Sequence, residues 1–196
     1  MTTSQAEIGV ELEKALRALV GKPCWTVFAG PETGSAIDIH FGSKIPRLPP
    51  LRNPALSDDE RRYEGEFSLY ITCAWRMTEN NQVVYGWTDA ADDPAALNST
   101  LEHLVGRTVI AMDVKPTAWD LSLQFGSDLI LDIFCDQTSL VDEDDNYALF
   151  TPSRLFNVGP RSRLAVELRD PDEPDADEDH VSEWIQRLRR QSLKRI

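Results

Sequence analysis

A five-residue phrase, LVGKP at residues 19–23, returns as LVGRT at residues 104–108. Each copy closes a stretch with helical spacing. Before the first, Ile8, Leu12, Ala15, Leu16 and Leu19 recur every three or four residues, behind a Ser4 and Glu7 pair able to form a capping box. Before the second, Asp93 can cap a helix that Pro94 opens, and Leu97, Leu101 and Leu104 follow. Leu97, Leu101, Leu104, Val105 and Gly106 all stand 85 residues after Leu12, Leu16, Leu19, Val20 and Gly21. Common patterning explains two similar helices but not a shared glycine, which suits the positive-φ C′ position.

The correspondence runs on. AIDIHFGS at 36–43 reappears as DLSLQFGS at 120–127, with one residue lost between. Ile37, Ile39 and Phe41 alternate with polar neighbours, as do Leu121, Leu123 and Phe125, which is the two-residue period of a half-buried strand. On that assignment His40 points outward. Strand candidates precede these at 24–29 and 108–114 and follow at 66–75 and 128–136, where Phe67, Leu69, Ile71 and Cys73 match Leu129, Leu131, Ile133 and Cys135. A fourth strand is expected at 82–87 in one copy and 147–151 in the other. Short connections favour antiparallel neighbours, and a helix can cover one face of each sheet. The sequence therefore predicts an α+β fold made by tandem duplication of a helix plus an antiparallel four-strand meander, sharing a core across a pseudo-twofold axis.

The first unit spans 1–92 and the second 93–168. A Pro-rich insertion at 44–65 divides strands that the second copy joins by a tight turn. Its Pro46, Pro49, Pro50 and Pro54 favour a rigid, extended surface loop, although RLPPLR superficially resembles an SH3 ligand. GPETGS at 30–35 has the glycines of a hairpin turn and lacks the following helix that a phosphate cradle needs. VDEDDN at 141–146 lacks the Gly and distal Glu of a calcium loop and reads as a solvated hairpin tip. Residues 169–179 read as an acidic linker. Residues 180–196 read as a basic amphipathic helix, with Val181, Trp184, Ile185 and Leu188 on one face. That helix is expected to fold back on the acidic body, or to join copies as a homo-oligomer.

Net charge is −13 over 196 residues, which disfavours nucleic acid and anionic membrane as partners; such a surface ordinarily serves solubility, and its sharper reading is a face for a basic protein. No apolar run reaches membrane-spanning length, and the first residues lack the basic and apolar regions of a signal peptide. Three cysteines, Cys24, Cys73 and Cys135, with no C-x-x-C, fit a reducing, cytoplasmic setting. His40, His103 and His180 are scattered, and no zinc, phosphate-loop or nucleophile-elbow motif is present, so no catalytic residue, metal or cofactor is expected. Carboxylates such as Asp38, Asp89, Asp120 and Asp132 pair by abundance alone. Cys73 and Cys135 occupy core-facing strand positions, where burial dulls a thiol.

Cys73, Trp75 and Arg76 form a C-x-W-R phrase, followed by Asp89 and later by Leu149, Phe150 and Pro152. In these phrases the chain resembles a family of uncharacterised bacterial cytosolic proteins, and its small, acidic, two-unit style is similar to immunity proteins of polymorphic-toxin systems. The resemblance carries no activity. It implies a bacterial, cytoplasmic protein. Trp75 can cap the core at a strand end with Arg76 paired to a carboxylate such as Asp89; alternatively the two serve recognition, since Trp and Arg are the residue types enriched at interface hot spots. The expected partner-binding residues are Trp75, Arg76, Trp87, Asp89, Asp142, Glu143, Asp144 and Asp145. The expected function is a non-enzymatic module, immunity-like or regulatory, that masks a basic protein. The alternative is a small-ligand or catalytic domain with its site in the cleft between the repeats.

Overall fold

A computed structural model of the chain describes residues 4–29, 35–54, 56–140 and 145–169. It is an α+β structure with two antiparallel sheets. Helix α1 (Gln5–Arg17) starts at the expected capping box, in which the Glu7 amide donates to Ser4 Oγ at 3.3 Å and the Ser4 amide to Glu7 Oε2 at 2.8 Å. Strands β1 (Cys24–Phe28), β2 (Ile37–Pro46) and β3 (Tyr63–Ile71) follow as neighbours, with the five-residue helix α2 (Asp58–Arg62) before β3. The chain then forms β4 (Ala74–Glu79), β5 (Gln82–Gly86) and the short helices α3 (Asp89–Asp92) and α4 (Pro94–Leu101). Asp93 caps α4 by accepting from the Ala96 amide at 3.1 Å. Strands β6 (Val109–Lys115), β7 (Asp120–Phe125) and β8 (Leu129–Phe134) come next, and β9 (Tyr147–Phe150), β10 (Arg154–Val158) and β11 (Leu164–Leu168) end the described chain.

The sheets do not divide where the sequence suggests. The expected single strand over 66–75 breaks at Thr72–Cys73, so β3 lies in one sheet and β4 in the other. One sheet runs β1-β2-β3-β9-β10-β11 and the second β5-β4-β8-β7-β6. The β4–β5 hairpin of the first half therefore pairs with β8 of the second, while β9 pairs back with β3. Two four-strand meanders are replaced by exchanged hairpins. Alternation along a strand cannot reveal this, because Ile71, Cys73 and Trp75 keep the same period through the break.

Two β-bulges sit at equivalent places. Cys24 opposes Phe41 and Thr26 opposes His40; in the other sheet Val109 opposes Phe125 and Ala111 opposes Gln124. One extra residue in each first strand changes which face the next side chain takes. Between the bulges the two halves meet reciprocally. The Gly21 amide donates to the Val109 carbonyl at 2.8 Å and the Gly106 amide to that of Cys24 at 2.7 Å; Cys24 donates to Arg107 at 2.8 Å and Val109 to Lys22 at 3.0 Å. Gly21 lies three residues past the α1 C-cap, Ala18, rather than at C′, so its positive φ serves the entry to β1.

One core contains the inner faces of both sheets. Leu12, Leu16 and Leu19 from the first half, and Leu97, Leu101 and Leu104 from the second, are all at most 1% exposed within it. Phe41 and Phe125 stack at its centre, centroids 6.2 Å apart, and neither has any exposed surface. Burying a side chain of this kind contributes about 2 kcal/mol through the removal of apolar area from water. Helix α1 packs against β11 and reaches β6, while α4 and the following 3-10 turn reach β5 and β1. The segment expected as a Pro-rich loop is more ordered than that: β2 and β3 remain paired through Pro46–Tyr63, and α2 sits at the end of the hairpin. The acidic linker beyond Arg169 and the expected C-terminal helix lie outside the described residues.

Candidate functional site

Strand β4 separates two adjacent residues by its pleat. Trp75 turns inward and is 2% exposed, stacked on Tyr85 at 6.0 Å, with its indole N–H donating to the Ser35 carbonyl at 2.7 Å. A buried indole needs such a partner, and here it comes from the turn that leads into β2. Tyr147 on β9 does the same in reverse, its hydroxyl donating to the Trp119 carbonyl at 3.1 Å. Trp75 is thus spent on the core.

Arg76 points the other way, onto the outer face of the five-stranded sheet, with its side chain 45% exposed. Its Nη2 donates to Asp132 Oδ2 at 3.1 Å, and its guanidinium lies 5.2 Å from the centre of the Phe134 ring. Asp132 also accepts from the Ser122 hydroxyl at 2.9 Å. Register explains the grouping: Gly86, Arg76, Asp132, Ser122 and Asp113 form one row across five strands. Asp120, on the same face, accepts from the Cys135 amide at 2.8 Å. An Arg held by a carboxylate over an aromatic ring is pre-ordered for contact with a partner.

Trp87 and Asp89 lie beside this row, where β5 ends. Trp87 is half-buried; its amide donates to the Trp75 carbonyl at 2.9 Å, and its own carbonyl accepts from the Ser35 hydroxyl at 2.8 Å. Asp89 is exposed, and its Oδ2 accepts from the Gly86 amide at 2.8 Å. Asp145 lies elsewhere, at the crossing between sheets, where its carbonyl accepts from the Thr72 hydroxyl. Asp142, Glu143 and Asp144 lie outside the described residues, as does most of the 30–35 turn. The structure therefore brings Arg76 and Asp89 to one end of the β4–β5 hairpin, adds Asp132, Ser122 and Phe134, and packs the Trp87 ring against the core instead. The outward phase of Asp132 and Phe134 was readable from alternation in 128–136; the pairing of β8 with β4 was not.

A second polar cluster occupies the outer face of the six-stranded sheet. His40 faces away from the core, yet it is only 2% exposed, with Trp25 and Phe28 edge-on to it at 5.8 and 5.0 Å. The Gly65 amide donates to its Nδ1 at 2.8 Å, which leaves Nε2 to donate to Asp38 at 3.0 Å. Asp38 also accepts from the Ser68 hydroxyl. Burial opposes the charge on Asp38, but the His40 interaction and hydrogen bond, the Ser68 hydroxyl and Arg47 outweigh it and hold the carboxyl below its usual range. Ser, His and Asp meet here, but both imidazole nitrogens are engaged and the serine donates to the carboxylate, so the order of a nucleophilic triad is not formed.

Among the described residues, no group of three or more His, Cys, Asp or Glu is placed to hold a metal ion, and no helix is long and apolar enough to cross a membrane. A depression of about 400 Å³ lies on α1, lined by Ala6, Glu7, Val10 and Glu11. At the seam between the halves, Phe41 and Phe125 stack with no exposed surface. Comparison with protein-family models, curated proteins and solved structures finds no match to this chain.

Proposed function

We propose that the chain is a non-enzymatic protein-binding module, immunity-like or regulatory, that takes a basic partner on the outer face of its five-stranded sheet. The observation that carries this reading is the Arg76–Phe134 pair, ordered by Asp132 and set among Asp89, Asp113 and Asp120. Arg and aromatic groups at the centre supply desolvated contact, and the surrounding carboxylates supply attraction for a cationic surface. A net charge of −13 extends that attraction over the molecule and would give salt-sensitive association. The test is affinity capture from the source cells with the wild-type chain and with Arg76→Glu. Recovery of one basic protein by the wild type alone, weakening as salt rises, supports the reading. Recovery of no basic protein, or of the same proteins by both chains, removes it.

We also propose that the two halves descend from one duplicated segment. Support comes from interactions that recur at corresponding places in the two halves. Lys22 binds Glu66 at 2.7 Å and Arg107 binds Asp128 at 2.7 Å, while the Gly42 amide donates to the Pro23 carbonyl and that of Gly126 to Thr108. The bulges and the Trp75–Ser35 and Tyr147–Trp119 bonds repeat in the same way. Superposing residues 4–29, 35–46 and 63–71 on 94–134 in an experimentally determined structure tests it, and failure of the bulges and glycines to coincide would refute it.

A further inference from the structure

Two of the three cysteines lie where the chain changes sheets. Cys73 joins β3 to β4, and Cys135 follows β8 on the way to β9. Strands β4 and β8 are antiparallel with Ala74 opposite Phe134, so the next step places Cys73 opposite Cys135. Directly opposed residues have Cα atoms about 4.5–5.5 Å apart, within the range a disulfide spans. Both side chains pack in the core, and each thiol lies near enough to the other for the Cys135 sulfur to raise Cys73. Tyr147 lies beside both. Cys73 is 1% exposed, whereas Cys135 is partly open to solvent.

We propose that Cys73 and Cys135 form a reversible disulfide by exchange with a low-molecular-weight disulfide, fastening the two crossings to each other. The Cys135 thiolate attacks one sulfur of the reagent RSSR, forming a mixed disulfide and releasing RS⁻, which takes up a proton. Cys73 then gives up its proton and attacks the Cys135 sulfur, releasing the second RSH. The protein loses two hydrogens, and the reagent is reduced to two thiols. The order follows from exposure and from charge. Cys73 is raised far above an ordinary thiol, first by the Cys135 sulfur and then by burial, and the first of these causes vanishes once Cys135 is in the mixed disulfide. Cys24, fully buried and pushed up to about 12 by burial, is left out. Cross-linking strands this far apart in sequence raises Tm by roughly 5–15 °C.

The experiment treats the folded full-length chain with oxidised glutathione, blocks free thiols and identifies peptides by mass spectrometry. The expected product is a Cys73–Cys135 linked peptide with Cys24 protected until unfolding, a raised Tm, and reversal by dithiothreitol. Cys73→Ala should accumulate glutathione on Cys135, and Cys24→Ala should leave the link intact. No linked peptide in the folded wild type, or a link that forms only in urea, overturns the proposal.

Discussion

Gly21 and Gly106 adopt the same left-handed backbone conformation, φ 88° and 83°, and each gives its amide to the strand that opens the other half. Neither would bring an added Cβ within 4 Å of another atom. Their requirement is therefore conformational rather than spatial, and a side chain at either position strains only the backbone.

Gly21→Ala and Gly106→Ala should each destabilise the chain by about 1 kcal/mol, and by closely similar amounts. Gly9→Ala should cost more, about 1–3 kcal/mol, because its Cβ would meet the Trp119 ring at 2.9 Å inside the core. Urea unfolding of the three variants checks the ranking. Unequal costs at Gly21 and Gly106 would show that the two turns are not physically equivalent.

Trp75 and Arg76 divide stability from recognition. Trp75→Phe keeps a ring against Tyr85 but leaves the Ser35 carbonyl without its indole donor, at a cost of about 1–3 kcal/mol. Trp75→Ala should cost about 3–5 kcal/mol. Arg76→Ala should change stability by under about 1 kcal/mol, since its ion pair with Asp132 is partly exposed. Thermal unfolding separates them. A large loss in Arg76→Ala would make that residue a pillar of the fold and weaken its assignment to a binding face.

How much of this was legible follows from what sequence periodicity encodes. Helices α1 and α4, the positive φ of Gly21 and Gly106, and the inward set Ile37, Ile39, Phe41, Leu121, Leu123 and Phe125 were readable because burial repeats with the local geometry. The exchange of hairpins was not, because a strand has the same two-residue period whichever sheet it joins. His40 shows the same limit: alternation placed it on the outer face, but only the fold brings Trp25 and Phe28 over it. Arg76 was singled out by its place in the C-x-W-R phrase and by residue type. Its partners, Asp132 and Phe134, came from β8, and no spacing in the sequence names the strand that will lie alongside.

Acid should weaken the fold through Asp38. Its folded-state pKa is lowered, so its contribution is fully present above the unfolded carboxylate value near about 3.9 and is lost as pH falls through the lower folded value. Asp38→Asn should therefore be less stable than wild type at pH 7, and the gap should narrow on acidification below about pH 4. Urea midpoints measured from pH 7 down to pH 2 test the sign. A gap that widens with acid would mean that the charge on Asp38 is not what the surrounding donors stabilise.

The exchanged hairpins predict that neither half is a folding unit. Residues 1–92 contain β4 and β5 but lack β8, against which β4 pairs along its whole length; residues 93–168 contain β9 but lack β3. Each fragment alone would leave Trp75 or Tyr147 without the core that buries it, together with unpaired strand edges. Expressed separately, both should lack a cooperative thermal transition by circular dichroism. Mixed in equal amounts, they should recover one, with a midpoint that rises with concentration because assembly is bimolecular. A cooperative transition in either fragment alone would show that its meander is stable without exchange, and that the reciprocal bonds of Gly21 and Gly106 join two units already formed.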